Sequence, residues 1–205
     1  MATIPLNLWS QSAHIDLVQM SFLRERADCR QELQRGSEWV DRVSNQVPSK
    51  SYLHAMRSSE KQSIEEAKNL MSEFVATHYE MALRLKEASV EETANASEAS
   101  NDVFTQFTHD GHRILDMPKY LEHCYERGIA LHPVMDSTSP AHADFAIWSI
   151  TDIEGMLHHG DFLHTQEDDL HLAANKSILG KSIQLMRITD TIYLELKQLD
   201  YRWGN

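Results

Sequence analysis

Ser63-Ile-Glu-Glu-Ala-Lys-Asn-Leu-Met-Ser-Glu-Phe-Val-Ala-Thr-His-Tyr-Glu-Met-Ala-Leu-Arg-Leu85 decides the fold class. Ile64, Ala67, Met71, Phe74, His78, Met81 and Leu85 recur at steps of three and four, so one helical face carries them all. Ser63 and Glu66 stand three apart at its start, the spacing at which each side chain caps the other's backbone amide. The pattern predicts a long amphipathic helix.

Working outward, the same rhythm returns. Ile15, Val18, Phe22, Cys29 and Leu33 predict a helix over 10–34, interrupted at Gly36-Ser37. Residues 47–51 (Val-Pro-Ser-Lys-Ser) read as a linker, and 88–101, small and polar, as a surface loop or frayed helix end. Further helices are predicted over about 102–115, 118–137 and 139–157, with a break at Gly155 to Gly160. A last helix carries Ile183, Met186, Thr189, Tyr193, Leu196 and Leu199. No strand-like alternation competes, and seven Gly and five Pro in 205 residues are few. The expectation is an all-α, single-domain bundle of six or seven helices.

The formal net charge of −12 argues against a broad nucleic-acid footprint, which is normally basic. Arg24, Arg26, Arg30, Arg35 and Arg42 cluster, but interleaved acids make them a solvated helix face. Cys29 and Cys124 are isolated; two buried thiols are expected, with a single disulfide as the alternative. The first residues lack the basic and apolar regions of a signal peptide. No run of about 18 apolar residues marks a membrane span.

The chemistry concentrates at His132-Pro-Val-Met-Asp136-Ser-Thr-Ser-Pro-Ala-His142. His132 and Asp136, four apart, share a helical face. Ser139-Pro140 reads as a helix start with His142 in its first turn. Neutral imidazoles and a carboxylate held on rigid elements suit a catalytic zinc site. His164 and Asp168 form a second His-x3-Asp pair. Asp41, His54 and His14, with Trp9 just before it, are weaker candidates alone. His78, His109, His112, His123 and His171 read as surface or half-buried. Met20, Met56, Met117, Met135 and Trp148 read as core, with a lipid-facing mouth as the alternative.

Taken in order, Trp9, His14, Asp41, His54, His132-x3-Asp136-x5-His142 and His164-x3-Asp168 resemble the trinuclear zinc family of bacterial phospholipases C and fungal single-strand nucleases. Gly128-Ile-Ala-Leu-His132, Asp136 to His142, Gly36-Ser-Glu-Trp-Val-Asp41 and Ser51-Tyr-Leu-His54-Ala-Met-Arg57 are similar to segments of phospholipase C-like toxin domains at the C-termini of Rhs-repeat polymorphic toxins. The resemblance implies two or three zinc ions. Asp41, His54, His132 and Asp136 would hold one; His142, His164 and Asp168 a second; His14, Asp136 and the free amino group and carbonyl of Trp9 a third. It implies hydrolysis of a phosphodiester by a zinc-activated water, with Asp41 as candidate general base.

Trp9 is not the first residue, so the third site needs cleavage after Leu8. Residues 1–8 are therefore expected to be a leader or linker remnant, and 9–205 the catalytic domain. The implied activity is a phospholipase C-type antibacterial effector. It would be delivered outside the producing cell as part of a larger toxin, act on membrane phospholipid and be blocked by a cognate immunity protein. A nuclease or nucleotidase on the same scaffold, and a metal-free helical binding protein, are the alternatives.

Overall fold

A computed structural model describes residues 11–96, 117–139, 142, 144–148 and 176–196. Among them run five α-helices: α1 (Gln11–Ser21), α2 (Ala27–Val40), α3 (Ile64–Ala96), α4 (Lys119–Asp136) and α5 (Lys176–Thr191), the last continued by a π turn over Ile192–Leu196. No strand occurs among the described residues beyond one isolated parallel bridge, Arg57 to Ile147. The chain is all-α, as the periodicity predicts. No helix of the described residues is long and apolar enough to cross a membrane.

α3 begins where its sequence says it should. The Ser63 amide donates to Glu66 Oε2 at 2.8 Å and the Glu66 amide to Ser63 Oγ at 3.1 Å, a reciprocal cap. It then runs to Ala96, through much of the stretch read as a loop or frayed end. With no Gly or Pro between 64 and 96, nothing there interrupts the backbone bonding.

The first predicted helix is two. α1 ends at Ser21, a turn closes with the Glu25 amide donating to the Phe22 carbonyl, and α2 starts at Ala27. Phe22 and Cys29 are seven apart, nearly two full turns, so the apolar rhythm is the same with or without a break. Gly36-Ser37, expected to end the helix, lies inside α2. Its glycine answers to packing instead: a Cβ on Gly36 would lie 2.0 Å from the Tyr125 carbonyl oxygen. Gly128 on α4 is its counterpart, where a Cβ would lie 2.1 Å from the Leu33 carbonyl oxygen. The pair lets the two backbones touch. Gly128→Ala should force α2 and α4 apart at a cost of at least roughly 1–3 kcal/mol, read as a lower midpoint in chemical denaturation.

α4 is the central helix. Every residue from Glu126 to Asp136 is buried, with α2 on one flank and α3 on another. Leu17 and Val18 of α1, Leu33 of α2, Val75 and Tyr79 of α3, Leu131, Val134 and Met135 of α4 and Met186 of α5 form one apolar core. Met56, Met117 and Trp148 are also buried, in keeping with core packing. The cysteines are not free thiols: Cys29 of α2 and Cys124 of α4 form a disulfide across the close helix pair. Their isolation in sequence hid a partner 95 residues away.

His123 corrects a second expectation, being buried with Nδ1 2.7 Å from the Ala82 carbonyl oxygen. Burial and the Arg127 charge hold its pKa down at about 4, against an ordinary 6.5. The unfolded chain therefore takes up a proton at His123 between pH 6.5 and about 4 while the folded chain does not. This contribution to stability is complete above pH 6.5 and falls as pH drops through that window. At about 1.4 kcal/mol per unit it amounts to roughly 3 kcal/mol. The stability difference between the protein and its His123→Gln variant should shrink by about that much from pH 7 to pH 4, measured by urea unfolding.

Candidate metal centre

His132 and Asp136 sit one turn apart near the C-terminal end of α4, and their side chains meet, Nε2 to Oδ2 at 3.1 Å. Pro133 lies between them and contributes no N–H to the helix bonding. Asp41 is the C-cap of α2, the helix that lies against α4. His54 comes from the segment read as a linker. Pro48 opens a 3-10 helix that ends on His54, and Ala55 reverses the chain at φ 51°. His14 projects from α1.

His142 does not stand in a long helix begun at Ser139. A single 3-10 turn carries it, its amide donating to the Ser139 carbonyl and the Phe145 amide to its own. Asp144 and Phe145 follow at φ 55° each. The chain then extends, the Arg57 amide donating to the Ala146 carbonyl and the Trp148 amide to the Arg57 carbonyl. That pairing, which no local pattern encodes, displaces the predicted helix over 144–148. Trp9, His164 and Asp168 lie outside the described residues.

Six of the nine sequence candidates thus converge. His54 Nδ1 is 3.2 Å from Asp136 Oδ2, 3.3 Å from His132 Nε2 and 3.8 Å from Asp41 Oδ1. His132 Nε2 is 3.4 Å from Asp41 Oδ1. His14 bridges the two carboxylates, Nε2 3.0 Å from Asp136 Oδ1 and Nδ1 3.3 Å from Asp41 Oδ2. His142 Nδ1 approaches Asp136 Oδ2 at 3.7 Å. All are buried except Asp41, whose side chain is 23% exposed, so solvent reaches the cluster past that carboxylate.

Two overlapping groups have ligand atoms close enough to hold a metal ion: Asp41, His54 and His132, and His14, His132 and Asp136. The spacing fits the first group, with Asp136 Oδ2 beside two of its members, His54 and His132. With bonds of ~2.0–2.1 Å, neighbouring donors of a tetrahedral zinc lie ~3.3 Å apart. Four of the approaches lie near that separation: His54 to His132 at 3.3 Å, His132 to Asp41 at 3.4 Å, His54 to Asp136 at 3.2 Å and His132 to Asp136 at 3.1 Å. The donor chemistry fits too. Burial lowers the His132 and His142 pKa values, outweighing the carboxylates nearby, which leaves neutral imidazoles able to donate a lone pair. Burial opposes ionisation of Asp41 and Asp136, but the imidazoles around them prevail and keep both below the usual carboxylate range. His14 supplies the balancing charge: burial disfavours its proton, Asp136 and Asp41 outweigh burial, and its pKa rises from 6.5 to about 10.

One residue of the centre escaped the sequence reading. Ser37 Oγ, buried one turn before Asp41, lies 3.2 Å from His132 Nδ1. With Nδ1 carrying the ring proton and donating to Oγ, the Nε2 lone pair would face the cluster, the arrangement of an outer partner to a metal-binding imidazole. A lone serine beside a glycine carries no signal of this in sequence. Ser37→Ala should weaken zinc binding by roughly 10–100-fold while Ser37→Thr retains most of it, read by chelator competition.

Comparisons with protein-family models, curated proteins and solved structures returned no match, so any function assigned to this chain rests on the site itself.

Proposed function

We propose that the chain is a zinc-dependent phosphodiester hydrolase, of phospholipase C type. One observation carries the reading. Asp41, His54 and His132, from three separate places in the chain's fold, bring donor atoms close enough to hold one metal ion, and Asp136 meets His54 and His132 at 3.2 and 3.1 Å. Three helices and two 3-10 turns would not converge on one buried and one part-buried carboxylate and four imidazoles for packing alone. Buried carboxylates are costly unless paired, and the cluster adds nothing to the apolar core.

Zinc, when bound, supplies Lewis acidity toward a phosphoryl oxygen and lowers the pKa of water. The chain's own residues do the rest. His54, His132 and Asp136 would hold the metal from the buried side, with Ser37 beside His132 to orient it. Asp41 faces both the cluster and solvent, and its carboxylate would take a proton from an incoming water. His14 joins Asp41 to Asp136 and holds their relative position. The net charge of −12 favours a lipid over a nucleic-acid phosphodiester, and the toxin-domain resemblance points the same way. On this reading the chain is a toxin domain acting outside the cell that makes it, with an immunity protein as its inhibitor.

The test is elemental analysis of the purified chain, with and without residues 1–8, alongside hydrolysis of a choline phosphodiester and of single-stranded DNA. Zinc bound at one or more equivalents with choline-ester turnover is the expected result. Zinc with DNA turnover alone would transfer the assignment to a nuclease, and a chain that takes up no zinc would overturn it.

A further inference from the structure

α2 and α4 run parallel in one unbroken register. Cys29 pairs with Cys124 at a sequence offset of 95, and Ser37 meets His132 at the same offset. Between them the Leu33 backbone abuts Gly128, again on that offset, and beyond them it aligns Asp41 with Asp136. The disulfide thus holds the near end of a two-helix ladder whose far end is the metal centre. Eight residues, ~12 Å of helix, separate each cysteine from its rung at Ser37 or His132. The glycine contacts leave no layer of flexible side chains between the backbones to absorb a slip, so displacement at one end is transmitted to the other.

We propose that the Cys29–Cys124 disulfide is a redox latch on the metal centre: the oxidised pair sets the α2–α4 register that brings Asp41 and Ser37 onto His132 and Asp136, and the dithiol form binds zinc weakly. The latch rests on the zinc reading above. Closing it takes two electrons and two protons from the cysteines. A disulfide oxidant such as oxidised glutathione accepts them through two exchange steps and leaves as two thiols. Both sulfurs are fully buried, so the bond forms as the chain folds and is sheltered afterwards. A chain folded in a reducing compartment would have a poorly metallated, weakly active site, and one folded under oxidising conditions a competent one.

The experiment compares zinc affinity, by competition with a chromophoric chelator, in the oxidised chain, in Cys29→Ser/Cys124→Ser and in Met186→Ala, with helicity followed by circular dichroism. Met186 is buried on α5, so its truncation lowers stability without altering any residue of α2 or α4. The expected result is at least tenfold weaker zinc binding in the double serine variant and unchanged binding in Met186→Ala. Equal affinity in all three would overturn the latch, and so would equal losses in both variants, which would mark a general effect of stability. If the oxidised chain itself binds no zinc, the metal reading fails, and the latch with it.

Should the serine variant not fold, the native chain decides. Coupling is reciprocal, so saturating zinc must make the disulfide harder to reduce, by ~30 mV for each tenfold of affinity. A reduction midpoint indifferent to zinc would rule the latch out.

Discussion

Asp136→Asn should abolish zinc binding and phosphodiester turnover together while leaving the helices in place. The substitution is nearly isosteric, but it removes the charge that four imidazoles face: His14 at 3.0 Å, His132 at 3.1 Å, His54 at 3.2 Å and His142 at 3.7 Å. Losing an outer partner to a ligand costs roughly 10–100-fold in affinity, so losing the carboxylate at the centre should exceed the top of that range. His132→Ala should behave alike. The measurement is zinc content after gel filtration beside the far-ultraviolet dichroism of the same sample. A helical Asp136→Asn protein that retained stoichiometric zinc would remove Asp136 from the centre and undo the assignment.

Asp190→Ala should be the most destabilising single change away from the metal centre. Arg127 of α4 is buried, and its guanidinium is held by Asp190 of α5 through Nε at 2.9 Å and Nη2 at 2.8 Å, and by Glu25 at 2.8 Å. Tyr79 of α3 donates to the same Asp190 carboxylate at 3.0 Å. Burial disfavours the arginine's charge, but Asp190 and Glu25 outweigh it and hold its pKa above the ordinary value. Removing Asp190 leaves a buried cation with one half-exposed partner and a buried phenol with none of its present bonding. Breaking such a pair costs about 3–5 kcal/mol. At roughly 2–4 °C per kcal/mol for a domain of this size, the thermal midpoint should fall by on the order of 10 °C.

The mechanism makes a second demand. Because the loss comes from an uncompensated charge rather than from a missing attraction, replacing both partners should hurt less than replacing one. Arg127→Met with Asp190→Leu should recover much of the midpoint lost in Asp190→Ala. If the double variant is as unstable as the sum of its parts, the network acts through its shape and not through its charge.

Much of the local structure was legible in the sequence because it depends on neighbours a few residues away. The capping pair Ser63 and Glu66, the rhythm of α3 and the shared face of His132 and Asp136 are all set by contacts within one or two helical turns. The candidate ligands His14, Asp41 and His54 were named through a family resemblance and not through spacing. Their sequence separations from Asp136 follow no helical or strand period. The misreadings have one cause in common. Gly36 looked like a helix stop because its reason is the backbone of Tyr125. The helix expected after Ser139 gave way, over 144–148, to pairing with Arg57, more than 80 residues earlier.

The sequence by itself determined that this chain is helical, where α3 starts, and that His132 and Asp136 stand together. Each follows from intrinsic propensity and i to i+4 geometry, which the chain carries wherever it goes. Only the tertiary structure decided that Cys29 finds Cys124, that Ser37 lies behind His132, and that His14, Asp41 and His54 close on Asp136. Those meetings depend on the register of α2 against α4. Two glycines and a disulfide lie along that contact, between segments 95 residues apart, a distance at which side-chain periodicity carries no information.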